Sequence, residues 1–555
     1  MASAMSLSAQ NNMVFWHHAS PWSWRTEVVT SASISGIDSV TFATDNELKE
    51  ITAVATTEKF YTDLSTNGGF ASESLFGRDL MWEQGAACDI VWGRTRAFPT
   101  LATFNYRGNE SPLTNSFNVI KNGIIGANTV IGSLEGIENR TEIGNRTLGE
   151  AYFFRAFYHF LLAYRYGTDK QGVPFTSSTT WSGWNITQQA TVMEDYEMIL
   201  ADLDKAIMLL PVLSDLPKDE RYRAQKQAAL GLKAKVFAYW ATWDSGKWTD
   251  VINTVNDLET TYGAGLNDNF EDNFTSDEKK WFGPEYLFGC PARKTLEYNV
   301  AGIELPGVVL ENGAWGYMNG WGQIKPSYDI FEEMLKDGED NVRLKRSILA
   351  YNDEFPFFGD TRRFYSTRDL ESGFMINKYM EPFGHANPVD NDYVSTDGDW
   401  PVAKLNFPII RFADILLLRA EAYLNQGHAD LAAADINAVR TRSKLQSLKG
   451  NATFADLYHE RRCELAFEYA DHLFDLKRWH RSDDASLKAL AEAELNAHPR
   501  VRHYEDRSNP LSDFTIGDYE DYRYKNTYQD YMMVFPYPSD EIDKSNGNIK
   551  QNEGY

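Results

Sequence analysis

Two aromatic-rich stretches of the sequence combine residue types that can recognise a flat, hydroxylated ligand. In GRDLMWEQGAACDIVWGR, residues 77–94, Trp82 and Trp92 stand with Arg78, Asp79 and Arg94. In ENGAWGYMNGWGQ, residues 311–323, Trp315, Tyr317 and Trp321 are set among glycines beside Asn312, Asn319 and Gln323. A sugar ring has an apolar face of axial C–H groups and a rim of hydroxyls. Its receptor therefore needs flat aromatic platforms bordered by planar polar side chains. Both stretches are candidate saccharide contacts on that ground. Tyr298 and Tyr393, in irregular segments, are further candidates, and Trp181 and Trp184 in a Ser/Thr-rich linker fit either a contact or a packing role. The competing reading is that these indoles plug the loops onto the body of the protein. Glycine spacing favours contact in the second stretch, because Gly313, Gly316, Gly320 and Gly322 leave little side-chain bulk to cover the rings.

Other chemistry is weaker. His459, His472, Asp475 and His480 lie near one another, but only His472 and Asp475 have the spacing that puts two ligands on one helix face, and two ligands do not make a metal site. The alternating Glu and Arg of 459–480 read instead as ion pairs that lock neighbouring helices. A glycosidase needs two carboxylates about 5–10 Å apart, and with 79 acidic residues such a pair can always be imagined. No nucleophile elbow, P-loop, dinucleotide fingerprint or HExxH occurs. Cys88, Cys290 and Cys463 are too scattered for a zinc site or a disulfide framework and read as buried small residues. The residues thus predict no catalytic group, no metal and no cofactor. A formal net charge of -25 opposes binding to nucleic acid or to an anionic membrane surface. No run approaches the roughly 18 apolar residues of a membrane span, and the first residues lack the segments of a signal peptide.

The elements that must position the loops are helical. Residues 150–166 are apolar nearly all round and meet a glycine terminator at Gly167, and 192–211 carry one apolar stripe up to Pro211. A second pair spans 223–243 and 248–260, with Ala224, Ala228, Gly231, Ala234 and Ala238 forming a small face for close helix contact. A third spans 411–425 and 429–442 around Gly427, and a single helix is predicted near 454–480. The third pair fits the tetratricopeptide template at Ala420, Tyr423, Gly427, Ala432 and Ile436 and departs from it at Arg419 and Lys444. The second fits at Ala234, Phe237, Val251 and Val255 with an insertion at Asp244–Trp248. Such repeats bury a core only by stacking. The expected fold is mainly α, a scaffold of about four tetratricopeptide-like units over 115–260 and 405–485. Loop-rich portions over 61–115 and 262–405, with short helices at 327–337 and 343–350, would carry the contacts.

Four segments resemble the SusD/RagB family. They are the helix AYFFRAFYHFLLAYRYG with the following VPF, the run PIIRFADILLLRAEAYLNQG with Arg411, Asp414, Ala420 and Glu421, the stretch ERRCELAFEYADHLFDLKRW, and the ending FPYPSDEIDKSNGNIKQNEGY. They occur in the family's order across 115–555. The resemblance implies one SusD-like domain over 1–555 with the family tail at 530–555. It also implies a surface lipoprotein of the outer membrane that binds oligo- or polysaccharide and passes it to a SusC-like, TonB-dependent transporter without cleaving it. An early loop and a loop ahead of the helix near Pro326 would supply the aromatics. The family commonly has an arginine where this chain has His472, and a lipidated cysteine with its leader is expected ahead of Met1. The rival readings are a helical-repeat protein scaffold without glycan binding and a glycoside hydrolase or lyase.

Overall fold

The first described helix starts at Asp45. The computed structural model describes residues 44–65, 75–76, 89–92, 99–291, 322, 324–357, 360–364, 372–380, 405–469, 472–506, 508–509, 511–519 and 525–555, and the backbone of three strands within 12–43. Those strands, β1 (Asn12–Ser20), β2 (Ser23–Glu27) and β3 (Ser39–Ala43), pair antiparallel in the order β2-β1-β3. Helix α1 (Asp45–Ser65) opens with a reciprocal cap: the Glu47 N–H donates to Thr44 Oγ1 (3.3 Å) and the Thr44 N–H to Glu47 Oε2 (2.7 Å). The short strand β4 (Ile90–Trp92) follows. Phe60, Tyr61 and Leu64 of α1 are buried in the core that α1 shares with α2 (Ser111–Leu134) and α3 (Glu142–Tyr166). Gly123 of α2 lets α3 lie close, since a Cβ there would stand 2.3 Å from the Tyr158 ring.

Helix α3 is buried on nearly every side, as its composition predicts. It ends at Gly167 as expected, but for a steric reason and not through a left-handed turn. That residue is extended at φ -93°, open to any side chain, and glycine is required because a Cβ would stand 2.7 Å from Val192 and from the Ala163 carbonyl. The C-terminal tail closes the same helix end. Asn552 Nδ2 donates to the Tyr166 and Phe535 carbonyls (2.9 and 2.8 Å), and the Phe535 N–H donates to the Arg165 carbonyl (2.8 Å). After the small pair β5 (Pro174–Phe175) and β6 (Thr187–Gln188), α4 (Val192–Leu209) runs back along α3. Gly149 near the start of α3 therefore packs on Leu209 and Leu210, whereas His159 farther along meets Asp195 (2.8 Å).

The second pair, α5 (Lys226–Trp240) and α6 (Trp248–Thr260), buries Ala234, Phe237, Val251 and Val255 as the repeat template requires. Its small face does not meet only helices. A Cβ on Gly231 would stand 2.9 Å from Leu287 and 3.3 Å from Ile410, so strands β7 (Tyr286–Cys290) and β13 (Phe407–Arg411) lie against it. Between those strands the chain forms β8 (Ile324–Pro326), α7 (Tyr328–Leu335), α8 (Val342–Ser347), β9 (Ile348–Ala350), β10 (Glu354–Phe357), β11 (Asp360–Arg363) and β12 (Phe374–Ile376). Only the two short helices are expected there from the sequence. The strands pair as β4-β8, β7-β13, β9-β12 and β10-β11, and several partners lie far apart in the chain.

In the third pair, α9 (Phe412–Asn425) and α10 (Ala429–Arg442), Ala420, Ala432 and Ile436 are fully buried, and Gly427 at φ +79° makes a turn that an L side chain would strain. Arg419, a departure from the template, is a staple. It donates to Asp435 (2.9 and 2.7 Å) on α10 and to Asn256 (2.8 Å) and Glu259 (2.7 Å) on α6. The single helix expected near 454–480 is two, α11 (Phe454–Glu464) and α12 (His472–His480). Phe467 takes φ +64° in the break. The carbonyls freed there are satisfied from outside the helices: Lys378 Nζ donates to Ala466 O (2.7 Å), Tyr379 OH to Phe467 O (2.8 Å) and Arg411 to Glu464 O (2.9 Å). Helix α13 (Ala485–Asn496), the hairpin β14 (Arg500–Tyr504)–β15 (Phe514–Asp518) and α14 (Ser539–Lys544) complete the order.

Candidate functional site

Strands β4 and β8 join the two aromatic stretches at their roots. Ile90, Val91 and Trp92 pair antiparallel with Pro326, Lys325 and Ile324, so the chain leaving Trp92 and the chain entering Ile324 attach at the same end of one ladder. Ile90, Val91 and Ile324 point their apolar side chains into the core. Gly322, two positions ahead of β8, takes φ +57°, a left-handed conformation that favours glycine. The Asp89 carbonyl accepts from the Ser327 N–H (2.9 Å), and the Ser327 hydroxyl caps α7 through the Ile330 N–H (3.4 Å). Of the candidate contact residues, Trp92 is placed by its backbone alone. Arg78, Asp79, Trp82 and Arg94 of the first stretch, and Tyr298, Asn312, Trp315, Tyr317, Asn319, Trp321 and Gln323 of the second portion, lie outside the described residues, as do Tyr393 and Cys88.

Beneath β4 lies an ionic floor that fixes its position. Arg462 of α11 grips the Asp89 carboxylate through Nε (3.0 Å) and a terminal nitrogen (2.5 Å), and its other terminal nitrogen donates to Tyr458 OH (3.0 Å). Tyr458 OH donates to Glu494 of α13, which also takes His472 Nε2 at 2.8 Å; His472 stands 3.4 Å from Asp89. Burial pushes the Asp89 carboxyl above its ordinary range, with Arg462 working against it. Burial would raise Glu494 too, but Arg462 and His472 hold it at about 2. His472 is disfavoured as a cation by burial, yet Glu494 and Asp89 raise it.

Two further knots adjoin this one. His459 donates through Nδ1 to Glu333 (2.6 Å) and through Nε2 to Asp337 (3.0 Å), and Asp337 also takes Arg343 (2.7 Å) and Arg440 (2.9 Å). Burial opposes charge on His459, but Cys463, Asp337 and Glu333 push the ring up to about 12. Arg411 spans Glu285 (2.7 Å), Glu464 (2.7 Å) and Glu468 (2.6 and 2.8 Å). Lys378 is driven down to about 8 by burial, which Glu468 only partly opposes.

These knots decide the chemistry of the charged residues. Asp337, His459 and Cys463 form one triad close enough to share an ion, and Asp89, His472 and Glu494 form another. Neither suits a metal. Both nitrogens of His459 are occupied by carboxylates and the ring is cationic, while Asp89 and Glu494 already take arginine and histidine donors. The same pairing leaves these buried carboxylates engaged as acceptors, so they offer no free pair for acid and base work. The ion-pair reading of 459–480 therefore holds, with different partners. His472 does not act with Asp475, which instead takes Arg461 (2.6 Å) and Arg478 (2.8 Å). Its partners Asp89 and Glu494 carry no signal in the sequence, because one is a lone aspartate 383 positions away and the other sits on a helix that bears no motif.

Two family models match the chain. The model described as "SusD family" matches residues 334–555, and one described as "Starch-binding associating with outer membrane" matches residues 44–238. The chain belongs to the SusD/RagB family. SusD-like protein P25 of Formosa agariphila is 24% identical over 458 residues, covering 74% of this chain and 80% of that protein. Among solved structures, a SusD-like protein from Bacteroides fragilis aligns with a TM-score of 0.70 at 19% identity, over 92% of this chain and 99% of that one. A laminarin binding SusD-like protein gives 0.66 at 19% identity, over 92% and 100%. Surface glycan-binding protein A from Bacteroides thetaiotaomicron, in complex with laminarihexaose, gives 0.64 at 17% identity, over 90% and 99%. These likenesses establish the SusD-like fold.

The SusD/RagB segments now have physical roles. Arg411, Glu464 and Glu468 build the knot that caps the α11–α12 break, and Glu421 takes both Arg478 (2.8 Å) and the Trp479 indole N–H (2.9 Å). His472 stands between the Glu494 and Asp89 carboxylates at 2.8 and 3.4 Å, which raise it against the opposing effect of burial.

Proposed function

We propose that this SusD/RagB protein is a surface receptor that captures oligo- or polysaccharide and passes it, uncleaved, to a SusC-like, TonB-dependent transporter of the outer membrane. The observation that carries the reading is the β4-β8 ladder. It ties loops more than 200 residues apart to one end of one strand pair over a rigid ionic floor. Trp82 and Trp92 with Arg78 and Asp79, and Trp315, Tyr317 and Trp321 with Asn312, Asn319 and Tyr298, would then face one ligand from two sides. Rigid support beneath the contact loops is what a pre-organised binding site needs. The descriptions of the family and of its laminarin-binding neighbours support a glucan as the first ligand to try. We read residues 1–555 as one SusD-like domain, anchored to the membrane surface by a lipid on a preceding cysteine, with no metal or cofactor.

The test is a panel of polysaccharides, including laminarin and starch, in native gels, combined with a reducing-end assay. Retardation by at least one polysaccharide with no new reducing ends is the expected result. New reducing ends would replace the receptor by a hydrolase, and no retardation by any of them would favour a protein-interaction scaffold.

A further inference from the structure

Among the described residues Trp184 is the most exposed large apolar side chain, at 89%, and the one tryptophan whose placed side chain is exposed. An indole left in water on a floppy loop would need no explanation, but this loop is rigidly built. Asn185 Oδ1 accepts from the Ser182 N–H (2.9 Å), and Asn185 Nδ2 donates to Ser178 Oγ (3.1 Å) and Thr180 Oγ1 (2.7 Å). Asn128 of α2 ties the loop's base through the Thr176 and Ser178 carbonyls (2.7 and 2.9 Å). Asn548 donates to the Gly183 carbonyl, and Gly183 lies so close to Ser545 that a Cβ would meet its carbonyl at 2.7 Å. Ile186 is buried just beyond. The chain thus holds the Trp184 ring outward with its neighbours pinned on both sides.

Its chain neighbours Ser182 and Gly183, with the half-buried Trp181, wall a cleft of about 150 Å³ whose other side carries Asn118, Asp540 and Lys544. Glu541 is engaged by Lys121 (2.5 Å), while Asp540 and Lys544 form an exposed pair at 3.2 Å. A flat exposed ring one residue from a cleft that offers hydroxyl, amide and carboxylate groups is the pattern a sugar needs. A protein contact needs several apolar side chains packed together. The other exposed large apolar groups of α3 and α4, Ile143 and Met208, lie at the opposite end of that helix pair, Met208 about 24 Å along α4 from its start at 1.5 Å per residue.

We propose that Trp184 and this cleft form a second saccharide contact, separate from the β4-β8 loops, that engages a neutral pyranose unit elsewhere on the same polymer. The proposal rests on the receptor reading above. One stacking platform holds a short oligosaccharide weakly, but on a polymer already held at the loops it acts intramolecularly and adds avidity.

The experiment compares wild type, Trp184→Ala and Trp184→Phe, with thermal melts as a control for folding. Retardation in gels containing laminarin or starch is measured alongside calorimetric affinity for laminarihexaose or maltohexaose. The expected result is that Trp184→Ala weakens apparent affinity for the retarding polymer about threefold to tenfold, Trp184→Phe less, and hexasaccharide affinity stays within twofold. Unchanged polymer affinity overturns the second contact and leaves the receptor reading intact. An equal loss for polymer and hexasaccharide overturns its separateness. Failure of wild type to bind either polymer or either hexasaccharide overturns this proposal for glucans, and failure across the whole panel overturns the receptor reading too. Loss of co-purification with the transporter in Trp184→Ala, at unchanged polymer affinity, reassigns the ring to a protein contact.

Discussion

Replacing Arg462 by methionine removes a guanidinium while keeping an apolar stem of similar length, and it isolates the salt bridge that anchors β4. Asp89 then loses the donors at 3.0 and 2.5 Å, and Tyr458 OH loses the one at 3.0 Å, all in a setting where Asp89 and Arg462 are both buried. Breaking a buried pair from one side costs about 3–5 kcal/mol. At an unfolding entropy of roughly 2.1 cal/mol/K per residue, a 555-residue chain loses about 1.2 kcal/mol per degree, so Tm should fall by about 3–4 °C if the protein melts as one unit. The deficit depends on pH. Burial already raises Asp89, and without Arg462 it rises further. A carboxyl raised in the folded state binds more protons than in the unfolded chain, so stability falls as pH climbs through the folded pKa. The deficit measured by thermal melts is therefore larger at pH 8 than at pH 5. The double variant Arg462→Met with Asp89→Leu should regain most of the loss, because it leaves no orphaned charge. A single variant that melts within 1 °C of wild type at both pH values, or that suffers more at pH 5, would refute the account of the ionic floor.

Three further outcomes are expected. Glu333, Glu464 and Glu494 sit at about 2, so their stabilisation is complete above an unfolded value of about 4.5 and is lost as pH falls toward 2; His459, raised to about 12, contributes fully below about 6.5 and progressively less above it. Melts between pH 3 and 8 should thus peak near pH 4.5–6.5, and a maximum at pH 8 would contradict the assigned pairs. Gly427→Ala, at φ +79°, should lower the urea midpoint by a loss of about 1–2 kcal/mol, whereas Gly132→Ala, in helix with open space around it, should raise it by about 0.5–1 kcal/mol. Cys290 and Cys463 are fully buried, and burial pushes the Cys290 thiol up. Peptide mapping should find neither labelled by a thiol reagent until the protein is denatured.

Much of the scaffold is legible in the sequence, because a helix that stacks on others must repeat its apolar face. Ala234, Val251, Ala420 and Ile436 announce both their helices and their contacts, and all four are fully buried. Helix α2 is harder to see. Its stripe of Leu113, Phe117, Ile120, Ile124 and Ala127 is periodic, but Gly123, Gly126 and Gly132 lower its helix propensity, and tertiary packing outweighs them. The break between α11 and α12 is hidden for the opposite reason. The apolar pattern runs through 465–471, and what stops the helix is a set of donors, Lys378, Tyr379 and Arg411, drawn from distant segments. Strands such as β4 and β8 are three residues long and pair across more than 230 positions, so no local alternation or turn marks them. The candidate loops can be read for composition, since glycine and tryptophan declare themselves. Their common root on one ladder comes only from the fold.

Tryptophan fluorescence during titration with the polysaccharide that retards the wild type, compared between wild type and the Trp82→Ala, Trp315→Ala double variant, bears on saccharide capture most directly. A saturable spectral change in wild type that is largely lost in the double variant at the same polymer concentrations, with both proteins melting alike, is the predicted result. An undiminished response in the double variant would contradict the assignment of the ligand to the paired loops.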